Sequence, residues 1–330
     1  VEAPKVSIII VNYKTPDLLV RCVEQVFQSR NGVPLEVIVV DNCSDDDSAQ
    51  RVSRRFNEVT VLRNEHNLGF ARGVNRGIRE SSGAYLLAMN PDTQLPPEGL
   101  GPLIRFAEEK FETENAGIFG CRLLNGDGSL QYSCGRFPTL RRTVLDAFRP
   151  RTKRKYLLKD YQKPAEADWV TGACILIRRD LLDSVGLLDE NFFMYYEDVD
   201  LCFRARKKGW KVYYFPGTEV FHYYPHSQRK ENYDYIPVEI RRSHLYFYKK
   251  NYSRLEYLAL LGLTFGFAAA FLLNPLRIFS EARRRMQRSR VARQILKDIF
   301  LNGKTRGRVY SGDGQPVWPE RLEEGVKVES

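Results

Sequence analysis

VSIIIVNYKTPDLLVRCVEQVF, residues 6–27, decides the fold of this chain. Its opening, Val6 to Val11, is a nearly unbroken β-branched run, the pattern of a strand covered on both faces as in a parallel sheet. The helix that follows is well punctuated. Thr15 can act as its N-cap, Pro16 suits the first helical position, and Leu18, Leu19, Cys22, Val23, Val26 and Phe27 share one apolar face. A buried strand, a short turn and an amphipathic helix make one βα unit.

The same unit recurs further along. LEVIVV, Leu35 to Val40, reads as a second strand ending at Asp41, and in DNCSDDDSAQRV Ser44 is expected to cap a helix with Asp45 to Asp47 in its first turn. Further strands are expected at Thr60–Leu62, Tyr85–Met89 and Gly117–Leu124. Repeated βα units predict an α/β fold with a mainly parallel, doubly wound central sheet flanked by helices. A chain of 330 residues that is 43% hydrophobic can bury such a core as one large domain or two smaller ones. Its six cysteines are scattered without metal-finger spacing, and no secretory signal precedes Val6, which points to reduced thiols inside a cell. Charge is concentrated at one end: residues 277–308 hold eleven Lys/Arg against Glu281 and Asp298, +9 of the formal +10.

In open α/β sheets ligands bind beyond the carboxyl ends of the strands. Here those ends carry Asn12 and Tyr13, then Asp41 and Asn42, then Asn90, Pro91, Asp92 and Thr93. The first turn, VNYKTP, has no glycine, so a dinucleotide-binding G-x-G-x-x-G reading fails, and no Walker A loop exists. An aromatic ring and an amide for a base, one carboxylate for a ribose or a base edge and another for a metal suit a nucleoside diphosphate held through a cation. Between these ends, Asn67, Gly69, Phe70, Gly73, Asn75 and Gly77 form a glycine-rich stretch. It can cradle a ligand, or it can be a turn and a helix packed tightly on the sheet.

A second concentration of chemistry is FFMYYEDVDLCFRARKKGWKVYYFP, residues 192–216. Glu197, Asp198 and Asp200 follow an aromatic patch, and carboxylates desolvated this way and crowded together have raised pKa values. A solvated helix start would also favour acidic residues there, through the macrodipole.

Asp41, N-L-G-F-A-R-G-V-N-R-G (Asn67 to Gly77), N-P-D-T (Asn90 to Thr93), W-V-T-G-A-C (Trp169 to Cys174), F-F-M-Y-Y-E-D-V-D-L-C (Phe192 to Cys202) and V-F-H (Val220 to His222) occur in this order. Together they resemble inverting glycosyltransferases of family 2, particularly the bacterial rhamnosyltransferase-like branch that builds surface polysaccharide. The resemblance covers residues 6–252. It implies a GT-A fold binding a nucleoside diphosphate sugar, dTDP-rhamnose or a UDP-hexose, with a divalent cation, Mn²⁺ or Mg²⁺, bridging the phosphates. By similarity, Asn12, Tyr13 and Asp41 hold the nucleoside, and Asn67, Gly69, Phe70, Asn75 and Asn90 belong to the donor site. Asp92 takes the place of the metal-binding carboxylate, where the usual D-x-D motif reads Asn90-Pro91-Asp92. His222, placed after the strand-like KVYYF and a turn at Pro216-Gly217, matches a histidine that completes the metal site. A hydrogen-bonded core histidine is the other reading of His222.

In such enzymes an acceptor hydroxyl displaces the diphosphate in one step. The resemblance assigns the proton-taking base to Asp198, a supporting role to Glu197, and leaves Asp200 as a helix cap or a partner of Arg204 or Arg206. Trp169, Thr171 and Gly172, at the entry to the strand ACILIRR, are candidates for the acceptor side; Trp169 can stack on a sugar or fill the core. Residues 132–168 carry few sheet signals and read as an acceptor loop or as a solvated basic loop.

The expected organisation is a catalytic domain over residues 1–252, with a nucleotide-sugar half at 1–125 and an acceptor half at 126–252. A helical extension follows at 253–330. Within it LALLGLTFGFAAAFLL, Leu258 to Leu273, has no charge. As a helix it would span about 24 Å, short of the roughly 30 Å of bilayer hydrocarbon. With the basic run it suits an anchor at the inner face of the cell membrane near a polyprenyl-linked or saccharide acceptor. Packing on the catalytic domain or in a homodimer is the other possibility. No nucleic-acid recognition motif is present. A nucleotidyltransferase would need a glycine-rich basic loop after the first strand, a processive synthase a Q-x-x-R-W motif, and a non-catalytic sugar-nucleotide binder would not need Glu197 and Asp198.

Overall fold

A computed structural model describes residues 5–147, 160–223, 235–273, 289–297, 309–310 and 316–317. Its centre is a single sheet that alternates with helices along the first part of the chain. In order these are β1 (Val6–Asn12), α1 (Pro16–Ser29), β2 (Leu35–Asp41), α2 (Ser48–Arg55), β3 (Val59–Arg63), α3 (Phe70–Arg79) and β4 (Tyr85–Met89). Next come β5 (Thr93–Gln94), α4 (Leu100–Glu114), β6 (Ala116–Leu124), β7 (Leu130–Gln131), β8 (Cys134–Gly135) and α5 (Leu140–Ala147). Then follow β9 (Ala165–Glu166), β10 (Trp169–Val170), β11 (Cys174–Arg178), α6 (Arg179–Val185), α7 (Glu197–Lys207), β12 (Lys211–His222), α8 (Tyr235–Asn251) and α9 (Arg254–Leu273), and last the antiparallel pair β13 (Val309–Tyr310) and β14 (Pro316–Val317).

The main strand order is β3-β2-β1-β4-β11-β6-β12-β5. The pairs β1/β2, β2/β3, β1/β4 and β6/β12 are parallel, whereas β11 runs antiparallel between β4 and β6. Both faces are covered, as the β-branched runs require. Val6, Ile8 and Ile10 enter one hydrophobic cluster with α1 and α4, while Ile9 and Val11 enter the other with α3 and α6. Each such side chain, fully buried, is worth about 1.5–3 kcal/mol. Both halves of the expected catalytic domain contribute strands to this one sheet.

Three local expectations are corrected. Thr15 sits at the N-cap of α1 but makes no capping bond, because its hydroxyl donates to Asn12 Oδ1 at 2.7 Å. Ser44 does not cap a helix either: α2 begins only at Ser48, and Ser44 Oγ instead accepts from the Lys14 amide at 2.9 Å. Nor does the strand through KVYYF end in a turn at Pro216-Gly217. β12 continues to His222 with a bulge between Phe215 and Glu219, which lets its far end reach the site edge of the sheet.

A third cluster, Phe192, Val199, Phe247, Tyr248 and Leu260, joins the start of α7 to α8 and α9. One side of α9 is thereby buried on the rest of the protein. Other positions on it remain open, with Leu258 48%, Phe267 52% and Leu273 81% exposed. Among the described residues no helix is long and apolar enough to cross a membrane. Most of the basic run at 277–308, and part of the 132–168 segment, lie outside the described residues.

Candidate active site

The chain runs outward from β1 through β2 to β3 and then returns to the other side of β1 as β4, so the sheet's switch point lies between β1 and β4. Asn12 ends β1 and Asp41 ends β2, side by side in parallel register. Asn12 Nδ2 donates to Asp41 Oδ1 at 2.9 Å and to Ser44 Oγ at 3.2 Å, while the Ser44 amide donates to Asp41 Oδ2 at 3.2 Å. Asn12 is fully buried and its amide is used within this knot, so it orients Asp41. Tyr13 is half-buried beside it, with Lys14 Nζ 5.4 Å from its ring centre. Ser44, which carries no motif signal, is therefore a third member of this strand-end group.

From β2 the network passes to the glycine-rich turn. Asn64 Nδ2 donates to Asn42 Oδ1 at 2.6 Å, and Asn42 Nδ2 to the Gly69 carbonyl at 2.9 Å. Asn67 Oδ1 accepts from the Gly69 amide at 3.1 Å. Gly69 has φ +83°, and a Cβ there would lie 2.3 Å from the Phe193 carbonyl oxygen. That same carbonyl accepts from the Phe70 amide at 2.8 Å, so the start of α3 is fastened to the acidic stretch. Gly73 and Gly77 lie against Val11 and Ile9 of β1, which makes them helix-packing glycines. Asn75 is directed away from the strand ends: its amide donates to the Leu188 carbonyl at 2.8 Å and to Glu190, and its oxygen accepts from the Leu188 amide.

The acidic stretch enters α7 through two consecutive left-handed residues, Tyr195 at φ 70° and Tyr196 at φ 69°. Such backbone costs on the order of 1–3 kcal/mol per residue and persists only where surroundings enforce it. Here Tyr196 stacks on His244 at 5.1 Å and the Met194 carbonyl accepts from Ser243 Oγ at 3.0 Å, both partners lying on α8. The three carboxylates then diverge. Asp200 is wholly buried and neutralised by Arg204 and Lys250, each at 2.8 Å, with Asn251 at 2.9 Å. It ties α7 to α8, whereas Arg206 pairs with Glu166.

Asp198 is half-buried, and its Oδ2 accepts from the Gly172 amide at 2.8 Å while Oδ1 accepts from the Val199 amide at 2.7 Å. Desolvation raises its pKa, and these two amides oppose that rise. Glu197 is 4% exposed and its Oε2 has no hydrogen-bond partner among the described residues. Burial pushes its carboxyl well above the ordinary range, and the nearby Asp198 and Glu239 push the same way. Adjacent carboxyls thus receive different environments.

The antiparallel course of β11 brings the acceptor-side candidates to the same edge. Because Cys174 pairs with Met89, the residues before β11 meet the residues after β4, and the Asn90 amide donates to the Ala173 carbonyl at 3.0 Å. A Cβ on Gly172 would lie 3.1 Å from the Phe70 ring and 3.7 Å from Asp198 Cβ, so the strand-end turn, α3 and α7 converge there. The Thr171 amide donates to the Ser133 carbonyl at 2.8 Å. Trp169 is held by its indole N–H on the Arg136 carbonyl at 3.0 Å, with its ring across Gly135.

At the far side, His222 pairs with Thr93 across β12 and β5. Its Nε2 lies 3.4 Å from Asp92 Oδ1 and 3.3 Å from Asn90 Nδ2, and its Nδ1 lies 2.5 Å from Gln131 Oε1. The Asp92 and His222 side chains are 8% and 12% exposed. Among the described residues no group of three or more His, Cys, Asp or Glu side chains gathers to hold a metal ion. One carboxylate oxygen and one imidazole nitrogen do suit a Mn²⁺ or Mg²⁺ ion that takes its other ligands from phosphate and water. Gln131 was not among the candidates, although N-G-D-G-S at residues 125–129 is a hairpin signal that lays it beside the end of β6.

The chain is similar to several known proteins. The protein resembles the N-acetylglucosaminyl-diphospho-decaprenol L-rhamnosyltransferase of Mycobacterium tuberculosis, 31% identical over 233 residues, 64% of this chain and 74% of the relative. It also resembles the low-salt glycan biosynthesis hexosyltransferase Agl10 of Haloferax volcanii, 27% identical, covering 81% and 84% of the two chains. Among solved structures, the Pyrobaculum calidifontis mannosyltransferase PcManGT, in complex with GDP-Man and Mn²⁺, superposes with TM-score 0.53 at 15% identity, over 90% of this chain and 88% of that one. GalNAc-T7 with UDP, GalNAc and Mn²⁺ gives TM-score 0.57 at 14% identity, over 90% and 57%. The fold is the GT-A glycosyltransferase fold, with a helical C-terminal part. Residues 7–186 match the model of glycosyl transferase family 2 and residues 151–289 that of glycosyl transferase family group 2, and the chain belongs to glycosyl transferase family 2.

Proposed function

We propose that this glycosyltransferase transfers rhamnose from dTDP-rhamnose to a lipid-linked saccharide acceptor, by a single displacement with Asp198 as base. The observation that carries the mechanism is Asp198 itself: a half-buried carboxylate aimed by the Gly172 amide at the edge where the strand ends meet. Each of its oxygens accepts one backbone N–H and keeps a further lone pair for the acceptor proton. Its raised pKa brings it closer to working pH, where a base combines ionisation with proton affinity.

In the displacement, the acceptor hydroxyl gives its proton to Asp198 as its oxygen bonds to the anomeric carbon. The bond from that carbon to the diphosphate oxygen breaks with its electron pair leaving on the diphosphate, and the configuration inverts. Asp41, oriented by Asn12 and Ser44, meets the donor's ribose, and Tyr13 offers a ring to its base. Asn67, Gly69 and Phe70 wall the donor side, and Asn75 supports that wall through residues 188–190. A divalent cation, Mn²⁺ or Mg²⁺, held by Asp92 and His222 would supply charge neutralisation for the departing diphosphate. Glu197 serves as a neutral, proton-bearing neighbour that keeps the base carboxylate from sharing its pocket with a second charge. Thr171 and Gly172 border the acceptor's path, and Trp169 holds the β8/β10 wall behind them.

The rhamnosyl donor and the diphospho-lipid acceptor are supported by the Mycobacterium tuberculosis relative's name. A UDP-hexose donor is the second reading, favoured by the hexosyltransferase relative. Exposed apolar side chains on α9 and the basic run that follows it in sequence support peripheral contact with an anionic membrane. Residues 1–125 of the catalytic domain then carry the nucleoside contacts, and residues 126–252 carry the acceptor contacts together with Asp198 and His222. The decisive experiment is Asp198→Asn, assayed for transfer from dTDP-rhamnose and from UDP-sugars alongside calorimetric nucleotide binding. Transfer should fall by about 10²–10⁴-fold with binding intact. Near wild-type transfer would refute the base; a preference for UDP-sugars would replace the donor alone.

A further inference from the structure

His222 has two ring nitrogens, and only an unprotonated Nε2 can face a cation beside Asp92. The hydrogen bonds around it fix which nitrogen carries the proton, starting from an exposed turn some distance away. Asp127 Oδ1 accepts from Ser129 Oγ at 2.6 Å and from the Ser129 amide at 2.9 Å. These bonds pull the Asp127 carboxyl below its ordinary range, so it is an acceptor only. Ser129 spends its single proton on Asp127, and its Oγ must therefore accept, which it does from Asn125 Nδ2 at 2.9 Å. Asn125 then presents Oδ1 to Gln131 Nε2 at 2.8 Å. Gln131 in turn has its amide oxygen, Oε1, left for His222 Nδ1 at 2.5 Å, and that nitrogen must be the donor.

We infer that Gln131, oriented through Asn125 and Ser129 by Asp127, is a positioning residue that holds His222 as the Nδ1–H tautomer and directs its Nε2 lone pair toward Asp92. Asn90 Nδ2, 3.3 Å away, faces Nε2 as a donor and agrees with that assignment. The inference rests on the reading of Asp92 and His222 as cation ligands, and adds the reason why the imidazole arrives ready to bind. Outer partners of this kind raise ligand basicity, and their loss typically costs about 10–100-fold in metal affinity.

The test uses the full chain with ¹⁵N-labelled histidine at a pH well above the ordinary imidazole range, together with Mn²⁺ titrations of the same samples. The expected result is an Nδ1–H signal for His222 in the metal-free wild type. Gln131→Leu should give a mixture of tautomers and about 10–100-fold weaker Mn²⁺ binding, and Gln131→Glu, which still accepts from Nδ1–H, should restore both. An Nε2–H signal in the wild type would overturn the inference, as would a Gln131→Leu protein with unchanged tautomer and affinity. A wild type that binds no Mn²⁺ would remove the cation reading and this inference with it. Wild-type binding that Gln131→Leu leaves unchanged would remove this inference alone. Circular dichroism and urea midpoints of the variants separate a folding defect, for which Gln131→Glu would give no rescue.

Discussion

Glu197 should make the protein less stable as pH rises, and Glu197→Gln should remove that loss. The carboxyl is buried, its Oε2 has no partner among the described residues, and Asp198 and Glu239 both disfavour its charge. In the unfolded chain it would titrate near the ordinary value of about 4.3. Its folded pKa lies above the unfolded one, so between the two the native state holds one proton more than the unfolded state. The resulting contribution is fully present below the unfolded pKa and falls by about 1.4 kcal/mol per pH unit until the folded pKa is reached. The glutamine amide has the same size and never ionises. Urea unfolding of both proteins from pH 4 to pH 8 reads the difference directly. At pH 4 the two should agree closely. From pH 5 to pH 7 the variant should gain steadily on the wild type, because burial holds the Glu197 carboxyl well above its ordinary range. Asp198, raised in the same direction, is present in both and largely cancels. Because Glu197 is neutral in this account, Glu197→Gln should also keep transfer within about tenfold of wild type, unlike loss of a base at Asp198. A stability difference that stays flat with pH, or favours the wild type at high pH, would mean that Glu197 is ionised and paired, and the reasoning would fail.

Two further outcomes follow from the described contacts. Asp200→Asn leaves Arg204 and Lys250 facing a buried neutral amide and should cost about 3 kcal/mol in urea unfolding, whereas Asp45→Ala, at the exposed Lys14 pair, should leave the urea midpoint nearly unchanged; equal effects would contradict the burial argument. The full chain should co-sediment with vesicles containing phosphatidylglycerol and poorly with phosphatidylcholine alone, and Phe267→Asp should weaken that binding, while indifference to both changes would rule out the α9 surface as the contact.

Much of the architecture is local in origin and therefore readable from residues. Val6 to Val11, Leu35 to Val40 and Tyr85 to Met89 announce two-sided burial by composition, and all three are central strands with neighbours on both sides. Ser44 misleads because a short hydroxyl can cap a helix or bridge two loops with equal chemistry, and the proximity of Asn12, Asp41 and Lys14 decides for the bridge. Asn75 misleads for a similar reason. An amide near a glycine-rich turn can face a ligand, but here residues 188–190 lie against it and take its hydrogen bonds.

Sequence alone determined the α/β alternation, the set of strand-end polar residues and the ordered motifs that resemble the family, since periodicity and residue order are properties of neighbouring positions. Tertiary structure decided the environments within the carboxylate cluster and around the histidine. Asp198 differs from Glu197 through an amide 26 positions away at Gly172, Asp200 is neutralised from Lys250, and His222 receives its tautomer from Gln131. Burial and hydrogen bonding set the charge state of an ionisable group, and both depend on which distant segments the fold brings against it.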